Sequence, residues 1–324
     1  MESLAINIAA MIGGIALLVW GADRFVNGAA SIARLLNVPA LLIGLTIVAL
    51  GTSAPEILVS AVAATQGNGG LAVGNALGSN ITNIGLVLGF SAIVAPITVK
   101  SSLLKKEFPL LILVTVCTSW LMWNGTLSQL EGGLLLVGLI GLLAWLGWAA
   151  KQGDADQLAI DTDDIEELSR NAAIFQFVIG LATLLIGSRA LVWGAVNTAS
   201  SFGVSDTVIG LTIVALGTSL PELAASLSSA LKGEHDLAIG NVVGSNLFNL
   251  LAVLGVAGAI QETEIATTVI STDIPLMLLL TAALVVMGMS WSRSRPGRIN
   301  RFEASLLLAS WIGWQAWTWI TATA

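Results

Sequence analysis

Two carboxylates close near-identical stretches of this chain: GLTIVALGTSAPE ends on Glu56 and GLTIVALGTSLPE on Glu222. Thr52 and Ser53 stand four and three residues before Glu56, spacings that let all three border one face of a helix. Thr218 and Ser219 hold the same relation to Glu222. A second block, GNALGSNITNIGLVLG from Gly74, recurs as GNVVGSNLFNLLAVLG from Gly240, and both blocks are offset by the same 166 residues. Within it Asn75, Ser79 and Asn83 fall four apart, as do Asn241, Ser245 and Asn249. Each copy thus offers a carboxylate, hydroxyls and amide oxygens. These are hard ligands suited to Ca²⁺ and Na⁺, without the imidazole or thiolate that would favour zinc or copper.

Gly51 and Pro55 interrupt the first copy, and Gly217 and Pro221 the second. A proline removes one backbone donor and frees a carbonyl one turn back, which at membrane depth is tolerable where that group lines a cavity or binds something. A simpler account exists for some of these letters. Glycines four apart (Gly74, Gly78, Gly85, Gly89; Gly240, Gly244, Gly255) serve close helix packing, and Ser and Thr often bond their own helix backbone. The glutamates differ, because a carboxylate in mid-membrane costs at least a few kcal/mol and is a functional candidate by default. Across the 46 aligned positions from Gly44 to Gly89, 26 are identical between copies, and the identities concentrate in the two polar blocks.

The elements that carry these residues must lie in a bilayer. Hydrophobic residues make up 56% of the 324, charged ones only 10%, and mean hydropathy is +0.89, whereas a soluble domain carries about a quarter charged residues. Ten stretches are long enough to span as helices: 4–30, 39–65, 71–95, 103–123, 130–150, 172–200, 206–231, 237–260, 269–291 and 303–320. With the amino terminus outside, the inner connections contain eleven of the thirteen Lys and Arg, as the positive-inside rule requires. Both termini are then external, the acidic 151–170 connection is a cytoplasmic linker, and the two five-helix halves, 1–150 and 171–324, have opposite orientations. The first stretch is a retained helix, not a signal peptide, since Glu2 follows Met1.

Other features point to bland roles. Cys117 is lipid-facing or packed filler, Trp311, Trp314, Trp317 and Trp319 are interfacial anchors, and His235 is a surface residue. Asp23 and Arg189, also within helices, are partners of other groups or reach an interface. No Ser, His and Asp arrangement or phosphate-binding glycine loop is present, so the chain reads as no enzyme, needs no cofactor, and binds no nucleic acid. Uphill transport would be coupled to an ion gradient. A cation channel is the competing class, and an intramembrane hydrolase lacks a nucleophile and base.

GTSAPE with GNALGSNITN, and GTSLPE with GNVVGSNLFN, resemble the two alpha repeats of the calcium/cation antiporter superfamily, the sodium/calcium exchangers, and its bacterial branch in particular. The resemblance covers nearly the whole chain, with repeat cores at 44–89 and 210–255. It implies an all-α integral membrane protein of ten helices in an inverted 5+5 repeat, with the repeats meeting at the midplane and two outer helices sliding to alternate access. It implies that Glu56 and Glu222 coordinate Ca²⁺ and share Na⁺, that Thr52 and Thr218 contribute backbone carbonyls, and that Ser53, Ser79, Ser219 and Ser245 serve sodium sites. Asn83 and Asn249 match the remaining polar positions, one of which is Asp in some relatives. The implied activity is exchange of Ca²⁺ for Na⁺ across the cell inner (plasma) membrane. H⁺ is the alternative coupling ion, and dependence on K⁺ stays open.

Overall fold

The computed structural model describes residues 2–99, 106–151, 168–202, 215–289 and 297–323. Most of the acidic linker, Lys100, Lys105, Arg293, Arg295 and the first five residues of the second GLTIVALGTSLPE copy lie outside them. The described residues form helices joined by turns and two short antiparallel ribbons. The helices are α1 (Glu2–Leu35), α2 (Ala40–Thr52), α3 (Ala54–Thr65), α4 (Gly69–Val94), α5 (Glu107–Leu121), α6 (Gln129–Lys151), α7 (Arg170–Ser201), α8 (Ala215–Thr218), α9 (Leu220–Leu231), α10 (His235–Ile260), α11 (Val269–Gly288) and α12 (Arg301–Thr323). The strands are β1 (Ile97–Val99), β2 (Thr126–Leu127), β3 (Thr263–Glu264) and β4 (Gly297–Ile299), pairing β1 with β4 and β2 with β3.

Seven of the described helices are long and apolar enough to cross a bilayer, and α2 with α3, bent by 46° between them, makes an eighth broken span. α4 and α10 are the most enclosed, with 72% and 83% of their apolar windows inside the protein. They carry the second polar block of each copy, so the polar letters sit where lipid does not reach. Both widen into π-helical turns in the second half of that block, at Asn83–Leu88 and Asn249–Val253, and α2 does so at Gly44–Val48. Such local bulges break the regular hydrogen-bond ladder and recur at functional positions.

Glycines decide the closest contacts. α1 and α7 pack along their length through Gly14, Gly21 and Gly28 on one and Gly180, Gly187 and Gly194 on the other, spaced by seven and related by the repeat offset of 166. A Cβ added at any of the six would lie 2.3–2.9 Å from an atom of the partner's backbone. Gly14 meets Gly187 while Gly21 meets Gly180, so the pair is antiparallel. Gly240 and Gly244 bring α10 against Leu41 and Leu45 of α2, and Gly85 and Gly89 bring α4 against Trp311 and Leu307 of α12. The packing role expected of these glycines therefore holds, except that Gly74 meets nothing within 4 Å.

Two of the four terminal tryptophans, expected as interfacial anchors, make specific contacts with the core. Trp311 and Trp314 turn inward from α12 onto the core. Their indole N–H groups donate to Thr82 Oγ1 at 3.1 Å and to Asp273 Oδ1 at 2.8 Å. The glycine-rich face of α4 leaves room for the rings, and each buried N–H finds an acceptor. Trp317 and Trp319 stay exposed, as does Cys117.

Candidate functional site

The chain folds around Pro55 and Pro221 in the same way twice. α2 ends at Thr52, Ser53 takes a non-helical φ of −84° and ψ of 3°, and α3 restarts with Pro55 in its first turn and Glu56 beside it. α8 ends at Thr218, Ser219 repeats that conformation at φ −88° and ψ 4°, and α9 restarts through Pro221 and Glu222. Proline suits a first helical turn, where its missing N–H is no loss. Each break therefore delivers a hydroxyl pair and a carboxylate to one point, with both glutamates buried.

The two copies interlock across that point. Ser53 Oγ donates to Glu222 Oε1 at 3.0 Å, and Thr52 lies beside the same carboxylate. Reciprocally, Thr218 hydrogen-bonds Glu56, and the two glutamates are near enough to repel each other. On the adjoining helices Asn83 Nδ2 donates to Asn246 Oδ1 at 3.1 Å, and Asn80 Nδ2 to the Asn246 carbonyl at 3.3 Å. Ser79, Asn83, Ser245 and Asn249 are all buried on α4 and α10. Thr218 is only partly buried.

Several buried oxygens of this cluster have no hydrogen-bond partner: Glu56 Oε2, Glu222 Oε2, Asn83 Oδ1, Asn249 Oδ1, Ser219 Oγ and Ser245 Oγ. Buried polar atoms are ordinarily paired, and an ionised carboxylate away from water is tolerated where a cation or donors neutralise it. Asn246 Nδ2 and Asn249 Nδ2 are unpartnered beside them, so the cluster holds unsatisfied hydroxyl, amide and carboxylate oxygens together, chemistry that suits a hard cation. All-oxygen groups of this kind suit hard cations such as Ca²⁺ and Na⁺ better than transition metals.

A further layer holds the carboxylates in place, and single residues did not reveal it. Asn75 Nδ2 donates to the Glu56 carbonyl at 3.2 Å and to Ser60 Oγ at 3.0 Å. Asn241 Nδ2 does the same with the Glu222 carbonyl at 3.3 Å and Ser226 Oγ at 2.8 Å, while its Oδ1 accepts from Thr52 at 3.2 Å. Ser60 and Ser226, Asn75 and Asn241, and Asn80 and Asn246 are identical pairs at the 166-residue offset. That identity was the available signal. The carbonyls freed by proline divide between the copies: Gly217 O accepts from Ser188 Oγ of α7 at 2.8 Å, whereas Ala22, at the equivalent place on α1, has no hydroxyl to offer Gly51.

The profile of the sodium/calcium exchanger protein family matches residues 6–148 and 172–320, nearly the whole of both halves. The chain belongs to the sodium/calcium exchanger family. It is 51% identical over 306 residues to the protein named antiporter CaxA of Alkalimonas amylolytica, covering 93% of this chain and 95% of that one. It is 38% identical over 296 residues to inner membrane protein YrbG of Escherichia coli, covering 90% of each. Among solved structures it superposes on the sodium-calcium exchanger NCX_Mj soaked with 10 mM Na⁺ at a TM-score of 0.82, with 34% identity over 95% of this chain and 97% of that one. This exchanger-family chain is thus an all-helical membrane transporter and not an enzyme.

Proposed function

We propose that the chain is a secondary antiporter that exchanges Ca²⁺ for Na⁺ through one site shared by both repeats, alternately open to either face of the cell inner membrane. The carrying observation is the reciprocal pairing of Ser53 with Glu222 and Thr218 with Glu56 around carboxylate oxygens that lack protein partners. Neither repeat completes the cluster alone. Two ionised glutamates neutralise one Ca²⁺ or two Na⁺, so the site is balanced with either load and unbalanced when empty, where a buried charge costs several kcal/mol. That penalty favours crossing only with cargo, which is the condition for obligatory exchange over channel-like leak. The ligands are assigned as Glu56 and Glu222 with Thr52, Ser53, Ser79, Asn83, Thr218, Ser219, Ser245 and Asn249.

The reading includes ten helices in an inverted 5+5 arrangement, 1–150 and 171–324, with both termini external and the 151–170 linker cytoplasmic. It is supported by the antiparallel α1 and α7, which occupy equivalent places in the two halves, and by the family match to both halves. The names of YrbG and NCX_Mj support the membrane and the ion pair. The deciding measurement is ⁴⁵Ca²⁺ uptake into proteoliposomes of the purified protein under imposed Na⁺, H⁺ or K⁺ gradients. Uptake driven by a Na⁺ gradient alone is expected. Uptake driven only by H⁺ would replace Na⁺ as the coupling ion, a requirement for K⁺ would add one, and uncoupled flux would favour a channel.

A further inference from the structure

The repeats match closely at the cation cluster and differ sharply at one end of α1. Lys232, the residue after α9, places Nζ 2.6 Å from Asp23 Oδ1 of α1. The same ammonium donates to the Asp23 carbonyl at 3.1 Å and to Asn27 Oδ1. Two residues on, in the turn leading into α10, Glu234 lies 3.8 Å from Arg34 Nη2 in the last turn of α1. The turn thus presents a base to an acid on α1 and an acid to a base on α1.

Among the described residues, the positions equivalent to these five offer no such set of pairs. At the 166-residue offset Asp23, Asn27 and Arg34 become Arg189, Trp193 and Ser200 of α7, while Lys232 and Glu234 become Gln66 and Asn68. The five counterparts hold one charge between them, and all are exposed. Asp23 to Arg189 even reverses sign. In a repeat protein that preserves its polar ligands letter for letter, such a one-sided difference is where symmetry between the two access states can be broken.

We propose that Lys232 and Glu234 form, with Asp23, Asn27 and Arg34, an ionic clamp that pins α1 to the α9–α10 turn. The clamp favours the state seen here, in which α1 lies against that turn, over its alternate. The inference rests on the exchange reading, here taken with α1 moving against the helices that carry the site, and on a topology that makes this turn cytoplasmic. Beneath it, Ala22, Val26 and Ala29 of α1 share one apolar cluster with Ala225 of α9, contacts that carry no charge and no hydrogen bond. The ion pairs add directional contacts between α1 and the turn, and among the described residues the equivalent positions at α7 lack them. The cluster therefore regulates the site, setting which face it loads from at rest without touching the cargo.

The test uses the full chain in proteoliposomes, with Cys117→Ser as background and Ala225→Cys as reporter of the seam. Lys232→Met and Asp23→Asn are each expected to raise labelling by a membrane-impermeant maleimide applied to the cytoplasmic face about fivefold, which at 1.4 kcal/mol per tenfold is ~1 kcal/mol. The double variant is expected to add nothing to either single one, and the swap Asp23→Lys with Lys232→Asp to restore the parent rate, which a merely misfolded variant would not do. Unchanged labelling, or additive effects with no recovery in the swap, overturns the clamp. Na⁺-driven ⁴⁵Ca²⁺ uptake is read in the same vesicles: absence of uptake in the parent protein refutes exchange, whereas normal uptake with unchanged labelling refutes the clamp alone.

Discussion

Glu56 and Glu222 are equivalent in sequence and interlocked in space, so neither should substitute for the other. Glu56→Gln and Glu222→Gln keep size and hydrogen bonding while deleting one charge of two. Leaving Ca²⁺ half neutralised in a site shielded from water costs several kcal/mol, so Na⁺-driven Ca²⁺ uptake should fall at least about a hundredfold in each variant. Glu131 and Glu303 serve as controls. Glu131 Oε2 accepts from the backbone N–H of Ser128 at 2.8 Å, and Glu303 Oε2 from that of Asn300 at 2.9 Å, both at helix starts. Their Gln variants keep an acceptor in these caps and should transport at near parent rates. Asn75 and Asn241 act one step back, so Asn75→Ala and Asn241→Ala should leave transport measurable and raise the Ca²⁺ concentration for half-maximal uptake about tenfold. That is the worth of two net hydrogen bonds of ~0.5–1.5 kcal/mol each; an unchanged concentration dependence would remove them from the site's support.

Equivalent glycines at the element scale face different surroundings, which separates packing from inheritance. A Cβ at Gly240 would lie 2.9 Å from the Leu41 carbonyl and one at Gly244 2.7 Å from the Leu45 carbonyl, whereas one at Gly74 would meet nothing within 4 Å. Backbone cannot yield as a flexible side chain does, so Gly240→Ala and Gly244→Ala should destabilise the protein by ~1–3 kcal/mol through overpacking. Gly74→Ala should be neutral or mildly stabilising, since alanine exceeds glycine within a helix by about 1 kcal/mol. Thermal unfolding of the purified variants in detergent measures the difference, and equal shifts at Gly74 and Gly240 would contradict the contact geometry.

For the whole molecule, the decisive quantity is the orientation of the two halves relative to each other. Single cysteines introduced into the 151–170 connection, in a Cys117→Ser background, should react with an impermeant maleimide only from the cytoplasm, and cysteines at either terminus only from outside. A cytoplasmic amino terminus would break the inverted assignment and with it the midplane meeting of the repeats. The antiparallel α1 and α7 add a structural expectation: bulky residues at their heptad-spaced glycines should stop transport even though none lies in the cation cluster. Gly21→Leu is the sharpest case, since even a Cβ there would fall 2.8 Å from the Leu184 backbone nitrogen.

The sequence by itself determined the membrane setting, the duplication and the site's chemistry. Charge scarcity and apolar length answer to bilayer physics without reference to contacts, and the offset of 166 residues marked the two polar blocks. It also held two signals that single-residue reasoning passed over: Ser60 with Ser226 and Asn75 with Asn241 as supports of the glutamates, and the glycines at Gly14, Gly21 and Gly28 repeated in α7. Partner choice was decided only by tertiary structure, because it depends on which helices face each other. That Ser53 serves Glu222 and not Glu56, three residues on in its own stretch, cannot be read from helical spacing, which favours the local pair. Trp311 and Trp314 look like interfacial anchors by position, and turn inward because Gly78 and Gly85 leave room beside α4. Lys232 and Asp23, 209 residues apart, look like unrelated surface charges until the fold sets them 2.6 Å apart. Composition fixes which groups a bilayer excludes; only three-dimensional proximity fixes which of those groups satisfy one another.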